Sequence, residues 1–156
     1  MAEFAKLVLK TDPIDNIEKL FVEDLIVVDD STPAGNGTLA DNPKHVDGEN
    51  YCSNLCGADG AVWKQSFPNK EHRGRGANID GYYDATKDIF VNARPFNAWV
   101  LNSEGTDWES PVTPPTQEQS NNYDVHWSDE NSGFLGFDQS GNKFIWNVNT
   151  LTWDSI

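Results

Sequence analysis

Apolar positions along the chain come in short runs and strict alternations, and almost nowhere hold a helical period. Residues 3–9 (EFAKLVL) and 17–28 (IEKLFVEDLIVV) are apolar and rich in β-branched side chains, with a turn signal at Asp12-Pro13 between them. They predict two strands joined as a hairpin. Residues 29–48 (DDSTPAGNGTLADNPKHVDG) carry Pro, Gly, Asn and Asp throughout and predict a loop or an extended arm. Such a segment is long for a compact domain, so it either lies against something or is mobile. Residues 48–56 (GENYCSNLC) are the one stretch with helical spacing, placing Tyr51, Cys52, Leu55 and Cys56 on one face before a stop at Gly57. Residues 61–67 (AVWKQSF) predict a strand around Trp63, and 68–81 (PNKEHRGRGANIDG) an exposed loop.

From residue 82 the pattern changes to aromatic residues recurring in pairs around polar turns. Tyr83 and Phe90, Trp127 and Phe134, Phe137 and Phe144, and Trp146 and Trp153 are each separated by seven, and Trp99 and Trp108 by nine. An odd separation lets both partners of a hairpin sit directly opposite each other on one face. The middles are rich in Asp, Asn, Ser and Gly, the residues tight turns require. This is a degenerate internal repeat, and residues 123–155 read as a continuous meander of four strands. Most of these aromatics are expected to fill a thin β core, leaving one or two of the six tryptophans at the surface as binding anchors. Prolines at 95, 111, 114 and 115 read as extended links that block edge pairing, and 117–122 (QEQSNN) as a solvated loop.

The fold class that follows is mainly β: an antiparallel hairpin and meander domain with one short helix near 49–56. Residues 1–81 hold the N-terminal strands, arm, helix and basic loop. Residues 82–156 hold the aromatic-paired repeats, the two halves forming one compact unit. At 156 residues the chain can bury a real core.

A formal net charge of −14 excludes nucleic acid and anionic membranes as expected partners, because phosphate binding needs a basic face. No apolar run reaches the length of a membrane span. The opening MAEFAKLVLKTD meets charge at Glu3 and Lys6 and lacks a signal peptide's apolar stretch, so synthesis in a cytoplasm is expected. Lys70, His72, Arg73 and Arg75 form the one basic island in an acidic chain. The island reads equally as a contact for an acidic partner or as a plain loop.

Motifs for chemistry are missing: the chain has no GxSxG, HExxH, P-loop or GxGxxG. His45, His72 and His126 stand in ordinary contexts, with His126 pointing away from Trp127 on its strand. Cys52 and Cys56 have too few ligands nearby for zinc and read as two buried thiols. Asp29-Asp30-Ser31 and Ser128-Asp129-Glu130-Asn131 offer hard oxygens, but neither follows an EF-hand pattern. Asn36-Gly37-Thr38 matches a glycosylation sequon, read as chance. No cofactor, metal or catalytic residue is therefore expected.

Several segments carry a resemblance. They include the MAxFAKL opening, the Cys-containing helix with CxxLxG-like spacing, and Trp63-Lys64-Gln65. They continue with residues 81–90 (GYYDATKDIF), 95–102 (PFNAWVLN), 108–112 (WESPV) and the Trp-x-x-x-Thr-x-x-Trp hairpin at 146–153. Together these resemble a family of small proteins encoded by marine tailed bacteriophages, especially those of cyanobacteria. The likeness covers most of the chain except residues 10–50 and 117–140. It implies a virion or virion-assembly protein and supplies no catalytic residues.

The function expected is that of a phage structural protein made in the host cytoplasm and located on the virion, foremost a decoration or cement protein. It would bind the major capsid protein, or other virion proteins, on the capsid exterior, with self-association possible. A tail, neck or fibre-associated role and a carbohydrate-binding β module are the alternatives, and a carboxylate hydrolase comes last. Trp99, Pro114 and Pro115 are the expected apolar contacts, with residues 29–48 lying across neighbours and Arg73 and Arg75 acting as an electrostatic guide.

Overall fold

The computed structural model describes residues 1–56 and 60–156. It is mainly β, as the alternation requires. The described chain divides into two compact units, Met1–Arg94 with Asn102–Asp107, and Pro95–Leu101 with Trp108–Ile156.

In the first unit β1 (Ala2–Thr11) and β2 (Glu18–Val28) form the expected hairpin. Its turn is closed by Asp12, whose side chain accepts from the Ile14 N–H at 2.9 Å and from Lys19 Nζ at 2.6 Å. A short hairpin, β3 (Pro33–Ala34) and β4 (Gly37–Thr38), precedes α1 (Glu49–Cys56) and β5 (Val62–Ser66). Strands β6 (Tyr82–Asp84) and β7 (Ile89–Val91) complete an antiparallel sheet of order β5-β1-β2-β6-β7. The sheet curls into half a barrel.

Both faces of β1 are buried. Ala2 and Phe4 point into one cluster with Val28, Trp63, Leu39 and Cys52, while Ala5 and Leu7 point into another with Val22, Tyr83 and Phe90. The register slips by one residue between Lys6 and Leu7, where β2 contributes the extra Glu23. A bulge of this kind raises local twist and helps a sheet curl.

Residues 29–48 are not an extended arm. They fold onto the first cluster as β3, β4, a 3-10 turn at Leu39–Asp41 and a π turn at Lys44–Gly48. Leu39 is fully buried, and the Asn42 amide donates to the Ala34 and Thr38 carbonyls at 2.7 and 2.9 Å. Side-chain amides and carboxylates here satisfy backbone groups that a sheet would otherwise pair. Gly48 lies against Phe4 so closely that a Cβ would enter its ring.

The expected helix is present, but its face is narrower than the spacing suggested. Cys52 is buried, whereas Leu55 is 63 % exposed and Cys56 is exposed. Two turns of helix reach the core only through Cys52 and Tyr51. The expected stop at Gly57 lies outside the described residues.

The second unit contains β8 (Val100–Leu101), β9 (Trp108–Glu109), a one-turn α2 (Gln117–Ser120) and the predicted meander. The meander is a four-stranded sheet of order β10-β11-β12-β13, with β10 Asp124–Ser128, β11 Gly133–Phe137, β12 Lys143–Asn147 and β13 Thr152–Ser155. Residues 117–120, expected to be loop, gain their helical turn from a capping box between Thr116 and Gln119.

Three aromatic pairs stand directly opposite each other as expected: Tyr83 with Phe90, Trp127 with Phe134, and Trp146 with Trp153. Two do not. Phe144 faces Gly136, and Phe137 faces Lys143, because the Asp138 carboxylate accepts from the Ser140 and Asn142 N–H groups and closes a five-residue loop. Trp108 faces Leu101, because Asn102 Oδ1 accepts from the Thr106 and Asp107 N–H groups at 3.0 and 3.3 Å and tightens that turn. Strands β6 and β7, which follow residue 81, belong to the first sheet.

Candidate functional site

Strand register puts Trp127, Phe134, Gly136, Phe144, Trp146 and Trp153 on one face of the meander. Gly136 is required there: Trp153 lies over it, and a Cβ would come within 2.8 Å of the indole. Residues 95–101 and 108–123 of the same unit run beside this face. The Trp146 indole N–H donates to the Thr113 carbonyl at 3.0 Å, and the Trp153 indole to the Gln119 carbonyl at 2.8 Å. Trp127 donates to Asp129 Oδ1 at 2.8 Å, and the Asp129 carboxylate also accepts from the Asn97 and Ala98 N–H groups. Those donors, Trp127 first, hold the Asp129 carboxyl below its usual range. Phe96, Trp99, Trp127 and Phe134 then interlock at tilted and edge-on angles, with centroids 5.1 to 6.4 Å apart.

Beside this cluster runs an open groove of about 650 Å³, lined by Trp99, Trp108, Glu109, the segment Ser110–Pro114, and Phe134. That volume is in the range of small-ligand and peptide sites. Prolines at 111 and 114 fix φ at two positions along one wall, which bends at Pro111–Val112. Ser110 Oγ donates to the Val112 carbonyl at 2.7 Å and accepts from its N–H, pinning the bend. Two polar groups are left over. Among the described residues, the exposed Glu109 side chain makes no ion pair and the buried Trp99 indole N–H meets no acceptor.

The expected contact residues therefore separate. Trp99 and Pro114 line the groove, and the half-buried Pro115 is not among its lining residues. Trp108, Phe134, Glu109 and Pro111 join them. The proline run after Trp108 was the visible signal for this wall, but parity arithmetic alone could not bring Phe134 to it.

Arg73 and Arg75 belong to the first unit and are internally engaged. Arg73 is 9 % exposed at its side chain; its guanidinium reaches Glu49 at 3.0 Å, Asp88 at 2.9 Å and the Gln65 carbonyl at 2.7 Å. Its own carbonyl accepts from the Phe90 N–H at 3.0 Å. One residue thus bridges β5 and β7, the two edges of the half barrel. Arg75 pairs with Asp107 at 3.1 Å. Both guanidinium groups thus have internal acceptors, and of the basic island Lys70 and His72 are exposed.

Cys52 is buried, and burial pushes its thiol up to about 12. Among the described residues no group of three or more His, Cys, Asp or Glu is placed to hold a metal, and no helix is long and apolar enough to cross a membrane. No family model, curated protein or solved structure matches the chain.

Proposed function

We propose that the chain is a binding protein of a phage particle, decorating the outer surface of the capsid by contact with the major capsid protein. The observation that carries this reading is the placement of the aromatic side chains. Four of the six tryptophans are buried and the other two are half-buried, and in the second unit Trp99 meets Trp127 and Trp146 meets Trp153 at steep angles. Sugar-binding surfaces present exposed rings in a common plane; these rings instead hold a scaffold together beside a groove. The strong negative charge keeps such a scaffold soluble at high local concentration. The motif resemblance to cyanophage proteins supplies the setting.

Mass spectrometry of purified particles tests the reading. Near-stoichiometry with the major capsid protein is expected. A few tens of copies or fewer would move the protein to the tail, neck or fibres, and absence from the particle would overturn the proposal.

A further inference from the structure

We infer that the groove of the second unit takes an extended, cationic peptide segment of a partner protein. The inference rests on reading the chain as a binding protein and names what its site would hold.

The argument starts from charge. The second unit carries seven carboxylate side chains and a single lysine or arginine, Lys143. Its field therefore favours a positive ligand before any contact forms. Within that field Glu109 is an exposed carboxylate without an ion-pair partner among the described residues, set at the wall of the groove. An arginine or lysine beside it would gain a charge-assisted hydrogen bond.

Shape supports a peptide over a compact cation. At about 650 Å³ the groove beside the Ser110–Pro114 bend is far larger than a single cation needs and in the range of a peptide site. Aromatic and proline walls of this kind suit an extended chain whose own apolar residues pack between them. The Trp99 indole N–H adds an unmet donor on a groove-lining residue: it is buried and among the described residues has no acceptor. Buried donors are rarely left so, and a ligand carbonyl entering beside the ring would satisfy it. The remaining indole donors of this face, those of Trp127, Trp146 and Trp153, already have acceptors.

The test uses the full chain and its six indole N–H resonances, assigned by single Trp→Phe replacements. The probes are acetyl-Ala-Pro-Arg-Pro-Ala-amide, the same peptide with Glu in place of Arg, and cellobiose. The Arg peptide is expected to shift the Trp99 and Trp108 signals saturably and leave Trp63 unmoved. Added salt should weaken it. Glu109→Gln should reduce affinity roughly two- to fivefold, the scale of an exposed ion pair. Trp99→Phe, which keeps a ring and removes the donor, should reduce it about fivefold. Equal shifts with the Glu peptide would overturn the charge argument, and shifts with cellobiose alone would make the groove a sugar site. No shift with any probe at millimolar concentration would remove the groove as a site. None of these outcomes depends on particle composition, so failure here and failure of the decoration role are separately visible.

Discussion

The two units solve the same problem, holding a small antiparallel sheet together, with different chemistry. The first buries aliphatic and aromatic residues on both faces of β1 and closes its sheet with ions. Arg73 ties β5 to β7, and Lys19 joins Asp12 and Asp15 across the hairpin end. The second has almost no cations and closes with indoles. Trp146 and Trp153 donate to carbonyls of residues 108–123, and Trp127 to Asp129. An ionic closure depends on pH; an indole-to-carbonyl closure does not. What is spare also differs. The first unit spends its arginines internally, while the second leaves a carboxylate and an indole donor unanswered at a groove.

The largest effect should come from the doubly packed strand. Phe4 is fully buried between Trp63, Leu39 and Gly48. Phe4→Ala should cost about 3–5 kcal/mol, read as a lowered urea midpoint of the first unit. A shift under about 1 kcal/mol would mean the residues 30–56 collapse into the space.

Arg73→Met comes next. It leaves Glu49, Asp88 and the Gln65 carbonyl without their shared partner and should cost about 3 kcal/mol. Its pH dependence checks the cause. Burial raises the Asp88 carboxyl, but the Tyr83 hydroxyl and the Arg73 guanidinium outweigh it and hold it below its ordinary value of 3.8. A depressed carboxyl stabilises above its unfolded pKa and loses that contribution as pH falls through the folded one. The gap between wild type and Arg73→Met should therefore narrow below pH 3.8. A gap independent of pH would assign Arg73 a packing role alone.

These two sites show why legibility differed between the units. Aromatic parity identified the Trp127–Phe134 and Trp146–Trp153 pairs because a hairpin is local and its register is set by a few intervening residues. It failed where a single side chain, Asn102 or Asp138, chose a different loop length, since hydrogen bonding inside a turn leaves no trace in hydrophobic spacing. Arg73 was visible only as a basic residue in a glycine-rich loop. Its partners lie 24 and 15 residues away at Glu49 and Asp88, joined by a sheet that had to curl first. The segment 29–48 looked like an arm because a lone leucine in a polar run carries no period, yet Leu39 anchors the whole segment. The groove was half legible: Trp99 and Pro114 stand out in sequence, but Phe134 reaches them only through the meander.

Trp153→Phe should cost about 1 kcal/mol, the scale of one hydrogen bond, because it keeps a ring over Gly136 and removes the donor to Gln119. Near-UV circular dichroism during urea unfolding reads it. Loss of several kcal/mol would show that indole size, not the hydrogen bond, holds β13.

The smallest perturbation is none at all: the two cysteines of the native chain report on the first unit by themselves. Cys56 is exposed and should react with a thiol reagent immediately, providing an internal standard for the unhindered rate. Cys52 has no accessible surface, and burial pushes its thiol up to about 12, so it reacts only from an opened state. Its rate relative to Cys56 thus measures how often that state forms. Each unit has its own buried aromatic or aliphatic cluster, so the two should open separately. Phe4→Ala should speed Cys52 labelling roughly a hundredfold to a few thousandfold, by the tenfold rate change per 1.4 kcal/mol. Trp153→Phe, in the other unit, should leave it unchanged. If both substitutions speed Cys52 alike, the chain opens as one body and the contrast between ionic and indole closure has no separate thermodynamic meaning. If Cys52 reacts as fast as Cys56 in the wild type, α1 frays on its own, and Leu39 rather than the helix is what covers Phe4.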